Sequence, residues 1–148
     1  MVAPRLNALE NESWRGLLYT HDHLWREVEA GLASLNVSMA EYSVLALLGE
    51  AGKGGMRMSE LARRRVMSTG GFTRLADRLE KRELIERRQA EEDARGLVAV
   101  LTPQGRALLR KAWSQHHADL RRIFFDRLEE QDLRDLARIW SKIGPPAD

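Results

Sequence analysis

In the middle of the 148-residue chain, Ser68, Thr69, Gly70, Gly71 and Thr73 are small or hydroxyl-bearing, and Arg74 follows them. Phe72, Leu75, Ala76 and Leu79 then recur every three or four residues, the spacing of one buried helix face. A helix therefore begins here, with Ser68 or Thr69 able to cap its free N–H groups. Those N–H groups and the positive end of the helix dipole favour a phosphate. Small residues also let this end approach a groove wall closely. Thr73 and Arg74 lie on the first turn, from which a helix set in a DNA groove reaches base edges. The plainer reading is that Ser68 and Thr69 only cap.

Cations surround this start. From Arg63 to Arg88 there are nine (Arg63, Arg64, Arg65, Arg74, Arg78, Lys81, Arg82, Arg87 and Arg88) against the four anions Asp77, Glu80, Glu83 and Glu86. The excess of five exceeds the formal net charge of +2 for the whole chain, so the remainder is net acidic. A local cationic island suits phosphate contact. The competing reading is a solvated face with i,i+4 pairs such as Asp77 with Lys81. Further on, Arg95 lies two residues after Asp93. A carboxylate at that spacing can hold a guanidinium in one direction, which suits insertion into a narrow minor groove.

The elements that must position these groups follow from apolar spacing. Trp14, Leu17, Leu18, His21, Leu24, Trp25, Val28 and Leu32 form a stripe on a long helix over about 6–35. Ser38 with Glu41 makes a capping box, so a second helix starts near Met39 and carries Tyr42, Leu45 and Leu48. The glycine-rich run Gly49 to Gly55 reads as a flexible connection. A short helix with Ser59 near its start, the tight turn through Gly71 and the Phe72–Leu79 helix come next.

Leu84 to Arg88 and Leu97 to Leu101 read as strands joined by an eight-residue wing, Gln89 to Gly96. Thr102-Pro103 starts a fifth helix, expected to run through Phe124 and Leu128. A last helix carries Leu133, Leu136, Ala137, Trp140 and Ile143. The fold class is mainly α with a small β-hairpin wing: a winged helix-turn-helix flanked by N- and C-terminal dimerisation helices. Residues 1–148 are read as a single domain, with the winged unit at 38–102 and the pairing helices at 6–35 and 103–143. The end helices bear more apolar surface than the small middle unit covers, so a homodimer is expected.

Several chemistries are excluded. The chain has no cysteine, which removes disulfides, thiolate ligands and thiol redox sensing. His21 and His23 are two apart and His116 and His117 adjacent, so neither pair shares a helix face, and no metal is expected. There is no G-x-S-x-G, Walker A or H-E-x-x-H pattern, so no catalytic residue and no cofactor is assigned. No apolar run approaches the ~20 residues of a membrane span, and the N-terminus lacks a secretory core, so a cytoplasmic, membrane-free protein is expected.

The runs STGGFTRLADRLEKRELIERR and EEDARGLVAVLTPQGRALL resemble the MarR family of winged-helix regulators. The likeness lies in the T-R-L-x-D-R-L-E helix, the D-x-R wing and the L-T-x-x-G helix start, and with the helix order it covers nearly the whole chain. It implies an obligate homodimer on double-stranded DNA, whose recognition helices enter successive major grooves. Ser68, Thr69, Thr73 and Arg74 then fall at the DNA-contacting end, with Arg78, Arg63 and Arg64 in the cationic face. Arg95 falls at the wing tip, oriented by Asp93.

The likeness also implies a small, often aromatic or phenolic, effector that releases DNA. Trp14, His21, Trp25, Tyr42 and Trp113 lie on helices that would border its pocket. The function expected is a regulator, in the form of a repressor, on a pseudo-palindromic operator. The alternative is a winged-helix protein-interaction module without specific DNA binding. One residue departs from the family pattern: Glu83 stands where glycine is usual, so the corner after the recognition helix should be strained by about 1 kcal/mol or built on another turn.

Overall fold

A computed structural model describes residues 5–64, 69–90 and 93–144, with side chains described outside 69–70 and 93–95. Its elements are α1 (Ala8–Ala33), α2 (Met39–Ala51), β1 (Met56–Arg57), α3 (Met58–Arg64), α4 (Thr69–Lys81), β2 (Ile85–Ala90), β3 (Asp93–Leu101), α5 (Pro103–Ile123) and α6 (Glu130–Ile143). Ser68 lies outside the described residues.

Side-chain caps set three helix starts. Asn7 Oδ1 accepts the Glu10 amide at 2.9 Å while Glu10 returns a carboxylate to the Asn7 amide, so α1 begins just inside Leu6. Ser38 and Glu41 form the expected capping box. Glu129 and Asp132 do the same for α6. Reciprocal caps of this kind satisfy donors that the first helical turn leaves open.

Two compact units result. In the first, Val28–His116, Val44, Leu45, Leu48, Leu61, Phe72, Leu75, Ala76, Leu79, Leu84, Ile85, Ala99 and Leu101 form one core. The α4 spacing read from sequence is thus the buried face. The second unit comprises the segments up to Glu27 and from His117 onward. There Arg122 joins the buried Asp119 and Glu27, both at 3.2 Å.

Four expectations need correction. The sheet has three antiparallel strands in the order β1-β3-β2, because Met56 and Arg57 pair with Ala99 and Val98. Two residues of strand leave no alternation to read. The glycine run is not a flexible connection: α2 continues through Gly49 to Ala51 and a 3-10 turn spans Gly52–Gly54. A Cβ on Gly49 would meet Leu109 Cδ2 at 2.6 Å, so glycine there serves close packing. Gly55, at φ 69, leads the chain into β1 with its Cα pressed to the Ala99 carbonyl.

The wing is mostly strand rather than an eight-residue loop, with Arg88 opposite Val98, Gln89 opposite Leu97 and a register shift before Ala90. Among its described side chains Arg88, Gln89 and Leu97 are exposed, and the charged sequence here shows no apolar period. Finally, α5 ends at Ile123. Phe124 leaves the helix at φ −131 and a 3-10 turn follows over Phe125–Arg127, so Phe124 and Leu128 are not helical.

Candidate nucleic-acid interface

The end of α4 explains how Glu83 is accommodated. The Leu84 amide bonds the Leu79 carbonyl at 2.9 Å and the Glu83 amide bonds that of Glu80 at 2.8 Å, a Schellman cap with Glu83 at the left-handed position, φ 56. The buried Leu79 and Leu84 supply the apolar contact that accompanies such caps. The corner therefore keeps the geometry glycine would take, and of the two outcomes expected from sequence the strained one is realised. Asn36 does the same at the end of α1, with φ 55 and the Val37 amide on the Leu32 carbonyl at 3.3 Å.

With its apolar side in the core, α4 turns Thr73, Arg74, Asp77, Arg78 and Lys81 to solvent. Arg74, Arg78 and Lys81, spaced by four and three, form one stripe. None of the three makes an ion pair among the described residues. Most of the surrounding cations are neutralised. Arg63 and Arg64 share Glu60 at 2.9 and 2.7 Å. Arg87 pairs with Glu80 and lies 2.8 Å from Asp77. Arg88 pairs with Glu86 at 2.5 Å and Arg82 with Glu41 at 3.1 Å.

These contacts shift proton equilibria. The Arg64 and Arg63 guanidiniums hold the Glu60 carboxyl below its usual range. Arg87 does so for Glu80, and Arg88 for Glu86. The cationic island of the sequence is thus a narrow stripe on α4. The Asp77–Lys81 pair is not formed, since Asp77 faces Arg87 instead. The pairing of Glu60 with Arg63 and Arg64 was legible from its i,i+3 and i,i+4 spacing. Nothing in the sequence marks Glu41 as the partner of Arg82, 41 positions away.

Thr69 opens α4, and Asp93 and Arg95 lie in β3, with Asp93 opposite Ala90 across the ribbon. Arg57 and Arg88 stand opposite Val98 on either side of it. With Lys53 they line a groove of about 320 Å³, a cationic feature that the sequence reading missed.

Of the residues assigned to an effector pocket, His21 stacks on Trp25 with ring centroids 5.8 Å apart. Tyr42 is buried and lies 4.8 Å from the His116 ring; burial, followed by the nearby Glu50 charge, raises its phenol pKa. Trp14 and Trp113 are exposed. Cavities of about 360 and 490 Å³ in the Val28–His116 unit are lined by other residues and share Asn36 and Arg82. No group of three metal-ligating side chains converges among the described residues. No described helix is long and apolar enough to cross a membrane.

A short helix and a recognition-type helix, followed by two antiparallel strands that complete a three-stranded sheet, have the element order of a winged helix-turn-helix. The family model described as MarR family matches residues 37–97. The structure resembles that of AbsC, a MarR family transcriptional regulator from Streptomyces coelicolor, with 33% identity, 95% of each chain covered and a TM-score of 0.88. It also resembles Sco3205 of the same organism, solved in complex with DNA: 28% identity, 97% of this chain and 91% of that one, TM-score 0.87.

The HTH-type transcriptional repressor Rv2887 of Mycobacterium tuberculosis is 29% identical over 80% of this chain and 83% of its own. Its structure with p-aminosalicylic acid gives a TM-score of 0.66 at 28% identity, covering 87% of this chain and 95% of that one. The regulator YfiV of Bacillus subtilis is 34% identical, but the match spans only 60% of this chain and 54% of that protein. The chain belongs to the MarR family of winged-helix transcriptional regulators.

Proposed function

We propose that the chain acts in the cytoplasm as a homodimeric repressor. Each subunit lays α4 in the major groove of a pseudo-palindromic operator, with half-sites about 10 base pairs apart. The observation that carries this reading is the Arg74–Arg78–Lys81 stripe: these cations keep their charge available while most of their neighbours are spent on carboxylates. Arg95, oriented by Asp93, reaches the minor groove, and Thr69 and Thr73 approach the helix-start phosphates. Arg63 and Arg64 supply weaker contacts, because binding must compete with Glu60. The DNA complex of Sco3205 supports the assignment at 28% identity.

Pairing through the terminal helices, over 6–35 and 103–143, is supported by Leu9, Trp14, Leu17, Leu18 and Tyr19 on α1 and by Ile139, Trp140 and Ile143 on α6. All of these are exposed in the single chain. A small aromatic acid releases the DNA, a reading supported by the Rv2887 complex with p-aminosalicylic acid. Selection of bound sequences from a random duplex pool tests the function. A two-fold symmetric motif is expected. Indifference to every duplex, at low salt as well, would leave the protein-interaction module as the better reading.

A further inference from the structure

Arg82 belongs by sequence to the basic run, yet its guanidinium is spent inside the fold. Nη1 donates to Glu41 Oε1 at 3.1 Å and Nη2 to the Asn36 carbonyl oxygen at 2.8 Å. Asn36 is the left-handed cap that ends α1. Glu41, only 8% exposed, uses its other oxygen on the Ser38 amide in the box that begins α2. One side chain from the end of α4 therefore ties down both sides of the α1–α2 corner.

The main chain of the same segment is held from another direction. Gln104 Nε2 donates to the Arg82 carbonyl at 3.3 Å, and Thr102 Oγ1 donates to the carbonyl of Glu83 at 2.6 Å. The C-terminal end of α4 is clasped, while Thr69, Thr73 and Arg74, the helix-start residues proposed to meet DNA, lie toward its other end. Thirteen residues make a rod of about 20 Å, so a tilt of about 10° at the clasp moves the far end by about 3 Å. That displacement is larger than a hydrogen bond to a base edge tolerates.

We propose that Arg82 is a positioning residue for DNA binding: it touches no nucleotide and sets the direction of α4 by clasping Glu41 and Asn36. The proposal rests on the reading of α4 as the recognition helix. A phosphate contact, as the place of Arg82 in the cationic run suggests, would behave differently with salt. Removing a phosphate contact lowers the slope of log K against log salt by about one per contact, whereas misplacing a helix weakens binding at an unchanged slope.

The test is fluorescence anisotropy on the duplex recovered by selection, at several salt concentrations, for the full chain and its variants Arg82→Gln, Arg82→Lys, Glu41→Gln and the double variant Glu41→Gln/Arg82→Gln. Arg74→Ala serves as the phosphate- and base-contact reference. Glutamine at 41 still closes the capping box, so Glu41→Gln keeps the fold if Arg82→Gln does not. Arg82→Gln and Glu41→Gln should each weaken binding roughly tenfold, the cost of one charge-assisted hydrogen bond, with unchanged slope. The double variant should be no weaker than Arg82→Gln, and Arg82→Lys should recover part of the loss.

A slope lowered as in Arg74→Ala, native affinity in Glu41→Gln, or a loss matched by a falling folded fraction in thermal unfolding would overturn the proposal. Failure of the unaltered chain to bind any duplex is a separate result and removes the reading of α4 itself.

Discussion

The Thr102 hydroxyl donates to the Glu83 carbonyl at 2.6 Å and accepts the Gly105 amide at 2.9 Å. One side chain thereby caps α5 and closes the corner that follows α4, while the Thr102 amide adds a bond to the Leu84 carbonyl at 3.2 Å. The close approach requires Gly105, because a Cβ there would overlap the Leu84 carbonyl oxygen. The L-T-x-x-G motif is therefore a joint between two elements as well as a helix start.

Strain is stored at that corner. Glu83 holds φ 56, where an L side chain crowds its own carbonyl, at a cost of about 1 kcal/mol. Glu83→Gly should raise stability by about 1 kcal/mol, or roughly 2–4 °C in Tm, and Glu83→Ala should leave it nearly unchanged. Denaturant titration of both variants checks this. Equal stability of the glycine and alanine variants would show that the corner is not strained.

The helices were legible because each of their signals lies within one or two turns. The Ser38–Glu41 box, the Thr102-Pro103 start and the Phe72–Leu79 spacing all survive in the fold. What stayed hidden depends on partners far along the chain. Met56–Arg57 is a strand only because β3 passes beside it, and the glycine at 49 answers to Leu109, whose side chain leaves no room for a Cβ. The charge count misled for the same reason: Arg82 and Arg87 face carboxylates chosen by the fold, so a sum over residues 63–88 overstated the exposed cationic surface.

Glycines at two sites should respond in opposite directions to the same change. Gly105→Ala forces a methyl into the Leu84 carbonyl and should cost at least about 2 kcal/mol. Gly16→Ala, on exposed α1 with nothing within 4 Å of the added carbon, should stabilise by about 0.5–1 kcal/mol. Thermal unfolding at fixed protein concentration reports both, and a shared sign would contradict the packing described for Gly105.

Acid stability should depend on Glu80. Arg87 holds its carboxyl below the usual range, so the folded state favours the charged form. The contribution is complete above the unfolded value of about 4.3 and is lost as pH falls through the lower folded value. Glu80→Gln should therefore lose stability at neutral pH, by less than about 1 kcal/mol given its partial exposure, and show a shallower acid limb. Urea midpoints measured from pH 7 down to pH 3 check the sign. Identical curves for the variant and the unaltered chain would mean that the Arg87 contact adds nothing.

Arg74 and Arg95 test the two DNA-reading elements separately. Arg74 lies on the solvent face of α4 without an ion pair among the described residues, so Arg74→Ala removes a cation without exposing a buried carboxylate. Arg95 stands in β3, two residues after Asp93 at its start. Each alanine variant should weaken operator binding by about 1–3 kcal/mol, or roughly 5- to 150-fold, with the dimer intact in sedimentation. Arg74→Ala should also relax the base preference at the position it reads, whereas Arg95→Ala should weaken A·T-rich flanks most, where a narrow minor groove attracts arginine. Native affinity in both variants would mean that the protein meets DNA, if at all, through another face.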